Sequence, residues 1–530
     1  MKIKIAIAVC CGFIQAAFAQ KDAAVKAYNY ENYRTAANAF KTLVATESTG
    51  ENYYYLGNAY GFLGKWDSAR WAYDLGIKAD AKYGPNYAGM AKAYLSQNNT
   101  TKAQEYFGMA KSTTNANKDV NYYNWLGEAW VNSANPNPQE AINILNKGKD
   151  INYKDGNTYF LLGEAYYKMS KGGDAVNNYD LALQYNPALI KSNVRIGNVW
   201  SDAHRYAEAL AAYQKALAAD PNYAPALRGL ADLYYMTAQY DKAKETFGQY
   251  MKVGEMNDDM RYRQILLSFL NKDYATVQTQ ATDLLQRDSS KLVMRRLLAY
   301  SAYETGSYDQ GYNQLSTFLR RSDTSKIISS DYEYLGKFQR RQGNDSLAAL
   351  SYERAIRLDT SRKALYDTLA TMFYGKKNYT QAAKYYNVKI ANSKKPAIQD
   401  YFSLGRAYYF DSAFAKADSA FMRVTELSPT WPVGYVWRAR AALSLDNPDK
   451  PQGLASPYYQ KVIETAATDS VKYKREMIEA LKYFGNLNTL NENYDEAMKY
   501  YNRVLAISPD EADVKKTVDA INESRKKKKP

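Results

Sequence analysis

Two acids, Glu128 and Glu164, are the residues of this 530-residue chain best placed to do chemistry. On neighbouring helical units they would stand about 8–10 Å apart. That overlaps the roughly 6.5–9.5 Å that inverting glycosidases keep between acid and base. With 55 acidic residues in the chain, such pairs also arise by chance. The other ingredients of catalysis are scarce. His204 is the single histidine, set in a turn between Trp200 and Tyr206, with no second His or Cys to complete a metal site. No Gly-rich loop follows a strand, and Ser-His-Asp and Cys-His arrangements have no material to form from. The residues predict no catalytic, cofactor-binding or metal site and a chain that is not an enzyme.

The elements that would position any site come next. The first nineteen residues read as an export leader: Lys2 and Lys4, an apolar run to Phe18, and Ala17-Phe18-Ala19 before Gln20. Val9 before Cys10 is a poor lipidation context, so cleavage between Ala19 and Gln20 is expected and a lipid anchor is not. Cleavage would remove both cysteines, Cys10 and Cys11, leaving no disulfide or thiol chemistry. The expected location is the periplasm or the secreted fraction. The balance of 70 Lys and Arg against 55 Asp and Glu gives a formal charge of +15, and 52 tyrosines make nearly one residue in ten. A chain 46% hydrophobic and 24% charged belongs with folded proteins.

One spacing recurs. Tyr159, Leu162-Gly163, Tyr166, Ala175, Tyr179, Ala182 and Pro187 return 34 residues later as Asn193, Ile196-Gly197, Trp200, Ala209, Tyr213, Ala216 and Pro221. They return again as Leu227, Leu230-Ala231, Tyr234, Ala243, Phe247 and Tyr250. Positions 4, 7, 8 and 11 make one helical stripe, and positions 20, 24 and 27 make another on the next helix. Neither helix can bury its stripe alone, so units must stack. This frame resembles the tetratricopeptide repeat, whose large residues stand at 4, 7, 11 and 24 and small ones at 8, 20 and 27.

The resemblance implies an all-α fold: a right-handed superhelical solenoid of antiparallel helix pairs, with about thirteen repeats. The expected divisions are the leader at 1–19, an N-terminal array at 20–255, and degenerate repeats at 256–328. A central array follows at 329–445, then C-terminal repeats with a Pro-rich insertion at 446–510, and a capping helix with a basic tail at 511–530. In the degenerate part Ile265 takes position 8, so its two helices should pack less closely.

In this family position 9 of the first helix faces the concave groove, with positions 5 and 12 beside it. The resemblance therefore nominates Tyr54, Asn58, Glu128, Glu164, Tyr167, Asn198, Asp232, Tyr235, Lys337, Phe402, Arg406 and Tyr409 as a partner groove. It is acidic or amide-lined in its first half and basic in its second. Rigid rings beside fixed charges suit an extended peptide or a partner's helix. The carboxylate clamp of some family members needs basic residues around the Asn, where Asn58 has Tyr54 and Phe62.

The expected function is an exported scaffold that binds a protein or peptide in its concave groove and organises a cell-envelope complex. A glycan-binding protein of the same fold and a two-carboxylate helical glycoside hydrolase are the alternatives. The tail Arg525–Lys529 would make weak contact with an anionic envelope surface, and no nucleic-acid partner is expected.

Overall fold

The structure is a computed structural model that describes residues 19–527. The leader up to Phe18 lies outside those residues, as do the tail's Lys528 and Lys529. Among the described residues there is no strand, and no helix is long and apolar enough to cross a membrane. Two compact units divide the chain, Met1–Thr305 and Gly306–Pro530.

Among the described residues the first unit holds seventeen α-helices, from helix 19–29 to Val293–Glu304, and the second holds twelve, from Tyr308–Arg321 to Ala512–Lys527. In each unit the helices alternate as the first and second members of hairpins. Pro85, Pro138, Pro225, Pro432 and Pro457 begin helices where a missing N–H costs nothing. Asp155, Asn99 and Asn257 cap others by accepting a backbone N–H. In most hairpins the turn passes one residue through the left-handed region. That residue is Gly64 or Gly343 in some hairpins and Asn98 or His204 in others.

Within each hairpin, position 8 lies against position 24. A Cβ added to Gly163 would sit 2.5 Å from the Tyr179 ring, and one added to Gly405 would sit 2.5 Å from Phe421. The absent side chain is the space the ring fills, and Tyr73, Tyr179, Tyr352, Tyr501 and Phe421 are buried there. Each such ring contributes about 2–3 kcal/mol of burial.

Where Ile265 replaces the small residue, Ala281 replaces the ring, so the volumes are exchanged and both side chains are buried. Helices Asp258–Leu270 and Tyr274–Arg287 do approach less closely than those of most other hairpins.

The repeat count falls one short. Pro432–Leu445 and Ser456–Ala466 form a hairpin that the Pro-rich insertion disguises. The insertion itself is ordered around Asp446, whose carboxylate accepts backbone N–H groups from Asn447, Gln452, Gly453 and Leu454. The last helix covers the end of the second unit with Val514 and Ile521 packed toward Leu481, Tyr501 and Val504.

In the first unit, first helices pack on the first helices of neighbouring hairpins, whereas second helices stay further from their counterparts. The closer layer of a curved stack is its concave side, so the first helices line the groove.

Candidate functional site

Position 9 is where packing and binding compete. In four hairpins the buried tyrosine at position 24 needs an acceptor for its hydroxyl, and position 9 supplies it. Tyr73 donates to Asn58 at 2.8 Å, Tyr179 to Glu164 at 2.7 Å, Tyr213 to Asn198 at 2.8 Å and Tyr501 to Asn486 at 2.8 Å. A buried hydroxyl without a partner costs about 1–3 kcal/mol. These position 9 side chains therefore hold the hairpins together. The same bonds account for part of the chain's tyrosine content, since each ring fills the space beside a glycine and carries its own donor.

In four other hairpins position 24 has no hydroxyl and position 9 carries a charge. By position in the repeat, Lys92 goes with Phe107, Glu128 with Leu145, Asp232 with Phe247 and Arg406 with Phe421. In the first unit these charges neutralise one another. Lys92, buried, bonds Glu128 at 3.1 Å and also reaches Asn58, while Tyr54 donates to Glu128. Asp232 pairs with Arg263. Glu164 accepts from Arg195 at 2.9 Å as well as from Tyr179.

The chain's own N-terminal turn is seated in this groove. Tyr30 donates to Asp220 at 2.6 Å and packs edge-on against Tyr223. Glu31 pairs with Arg228 at 2.6 Å and Arg195 at 3.4 Å. Asn32 donates to the Val253 carbonyl at 2.7 Å and accepts from the Glu255 N–H at 2.8 Å. Burial opposes ionisation of Glu31, but the two guanidinium groups outweigh it and hold the carboxyl below its usual range. Glu31 also takes a left-handed backbone conformation, φ 60°.

The turn and the first helix wall off a cavity of about 810 Å³, into which Glu128 and Glu164 both face with Trp125, Asn157 and Lys191. Lys191 holds its ammonium 3.9 Å from the centre of the Phe160 ring, and burial lowers its pKa. Among the described residues, no three His, Cys, Asp or Glu side chains gather as metal ligands.

The second unit presents a different face. Arg406 lies over the Tyr374 ring at 5.3 Å and the Trp437 ring at 5.7 Å, and its Nε is buried without an acceptor. No carboxylate pairs with it among the described residues. Phe402 and Tyr409 pack edge-on against Trp437 at 6.1 and 5.3 Å, and Phe410 is 43% exposed beside them. Arg440 covers Trp437 at 4.9 Å, with Glu479 on its N–H groups at 2.8 and 2.6 Å.

The nominated residues thus separate. Tyr54, Asn58, Glu128, Glu164, Asn198 and Asp232 are bonded inside the first unit. Tyr167 donates to Asp202 at 2.6 Å, and Tyr235 is exposed near Tyr240. In the second unit Lys337 bonds Glu333 at 2.8 Å, while Phe402, Arg406 and Tyr409 meet in one cluster. His204 is exposed, with Nδ1 3.0 Å from the Tyr206 hydroxyl. Of the tail, Arg525 pairs with Asp495 at 2.6 Å.

Sequence reasoning missed Trp437 and Arg440, because no repeat frame was assigned to their hairpin, and Glu31, whose partners lie 164 and 197 residues away.

Two family models described as tetratricopeptide repeat match residues 202–261 and 484–511. The chain is similar to the Xenopus laevis protein named tetratricopeptide repeat protein 37, 28% identical over 190 residues, which is 35% of this chain. It is also similar to human superkiller complex protein 3, 26% identical over 193 residues, or 36% of this chain. Each match spans 12% of the relative's length. A solved C-terminal part of a TPR repeat-containing protein from Cytophaga hutchinsonii is 34% identical. The match covers 48% of this chain and 97% of that one, with a TM-score of 0.37.

Proposed function

Because the chain belongs to the tetratricopeptide repeat family, we propose that it is a non-catalytic scaffold whose partner, a protein or peptide, docks on the first-helix face of the second unit. One observation carries this reading. Arg406, between Tyr374 and Trp437, has a buried N–H with no acceptor, whereas the comparable charges of the first unit are all neutralised internally. Folding leaves that Nε without an acceptor, and rings held rigidly beside a charge are what interface hot spots are made of. Of the twelve nominated residues, Phe402, Arg406 and Tyr409 are then the ones that meet the partner.

Lys2, Lys4 and the Ala17–Ala19 motif support export, and an exported scaffold has the cell envelope as its place of work. The partner complex is accordingly one of the envelope. Affinity capture from envelope extracts tests both parts. Chain recovered from cells should begin at Gln20, and it should retain a partner that an Arg406→Glu, Tyr409→Ala variant loses. Unchanged recovery by the variant rejects the docking face.

A further inference from the structure

The cavity of the first unit is independent of the docking face on the second, and it holds polar groups that folding leaves free. Its chemistry is set by two neighbouring first helices, Gly156–Lys168 and Lys191–Asp202. Lys191 lies over the Phe160 ring at 3.9 Å. One turn further along both helices, about 5.4 Å away, Arg195 bonds Glu164 at 2.9 Å. Asn157 precedes Lys191 by one 34-residue period, so the two stand side by side on the adjacent helices.

The groups differ in what they leave open. Arg195 and Tyr179 both bond Oε1 of Glu164, so Oε2 has no hydrogen-bond partner among the described residues and borders the cavity. Lys191 pairs with no carboxylate among those residues. Glu128 is held by Lys92 and Tyr54, and Asp220 by the Tyr30 hydroxyl and the Asn222 N–H. The Lys191 side chain is accessible on the cavity side, while the surrounding protein still desolvates its ammonium. A cation so placed is attracted to an anion more strongly than one in bulk water. Asn157 is exposed, and its amide bonds no protein group among the described residues. Trp125, on the preceding first helix Val120–Asn132, adds a half-buried indole wall.

A cation, an acceptor, an amide and a ring thus converge on a space of about 810 Å³, a size usual for small-molecule pockets. The ligand that satisfies them carries an anion and, one helical turn away, a hydroxyl donor, with an apolar ring face between the two. We propose that the cavity binds a hydroxylated cyclic acid of the hexuronate class. Its carboxylate sits on the Lys191 ammonium, one ring hydroxyl donates to Glu164 Oε2, a second meets Asn157, and the C–H face of the ring lies against Trp125. Both oxygens of Glu128 are engaged by Lys92 and Tyr54. Glycoside hydrolysis uses two carboxyl groups, so the ligand is held and not cleaved.

Isothermal titration calorimetry on the full chain tests this with three probes. They are methyl β-D-glucuronide, the uncharged methyl β-D-glucoside, and cyclohexanecarboxylate, an anion on a six-membered ring without hydroxyls. The glucuronide should bind with a Kd of about 1 mM or below and about tenfold tighter than either of the others. Lys191→Gln should erase its margin over the glucoside. Asn157→Ala should weaken both sugars and leave cyclohexanecarboxylate unmoved. Neither side chain bonds the rest of the fold, and an unchanged melting temperature confirms that each variant is folded. Hydrogen exchange should slow in residues 156–168 and 191–202 when the glucuronide is bound. Equal binding of glucuronide and glucoside, or a margin that survives Lys191→Gln, overturns the proposal. So do cyclohexanecarboxylate binding as tightly as the glucuronide, protection confined to other helices, and no heat from any probe up to about 10 mM.

Discussion

Glu31 and Arg228 lie 197 residues apart in the chain, yet their side chains meet at 2.6 Å. The contact closes the first unit's groove with the chain's own N-terminal turn, and Arg195 and Asn32 reinforce it. Glu31→Gln should therefore loosen a region distant in sequence. The pairs are partly exposed, so about 2 kcal/mol is a fair scale for the loss. Hydrogen exchange at the Glu255 amide, which is bonded to Asn32, should quicken by about thirtyfold. Unchanged exchange there would mean that the turn does not hold the groove closed.

The same closure should be acid-sensitive. The two guanidinium groups hold the folded Glu31 pKa below its unfolded value despite burial, so its contribution is complete above the usual carboxylate range of about 4.3 and fades as pH falls through the folded pKa. Exchange at the Glu255 amide, corrected for intrinsic rate, should rise below about pH 4 in the native chain and show no such step in Glu31→Gln.

Glycines in this chain should split into two kinds on substitution. Gly163→Ala should cost about 2 kcal/mol, because the new methyl lies 2.5 Å from the buried Tyr179 ring. Gly108 and Gly248 also sit inside helices but have no atom within 4 Å of an added Cβ, so alanine should stabilise by up to about 1 kcal/mol. Urea denaturation of the three variants checks the order.

Charge reversal should likewise separate the two units. Glu128→Lys would set two ammonium groups against each other at the buried Lys92, at a cost of about 3–5 kcal/mol, and should deplete folded protein. Arg406→Glu removes no ion pair and should leave the melting temperature within about 2 °C. Calorimetry of both variants distinguishes a structural row from a binding one.

The repeat frame was legible because its signal is local. Gly163 and Tyr179 are sixteen residues apart on one hairpin, and a 34-residue period repeats their relation. The nominated row was legible as a row but not in its roles. Whether Glu164 meets a partner depends on Tyr179 and Arg195, and a position rule does not contain that bookkeeping. Glu31 was illegible because its partners come together only when the stack curves through several hairpins. Trp437 was hidden by Pro448, Pro451 and Pro457, which lengthen one turn without disturbing the helices on either side of it.

Photo-crosslinking in intact cells tests the central claim most directly. A benzophenone side chain placed at Phe410, on the first-helix face of the second unit, should capture a defined partner. The same group at Leu350, which is exposed on a second helix of that unit, should capture none. Capture from Leu350 with none from Phe410 would contradict the account.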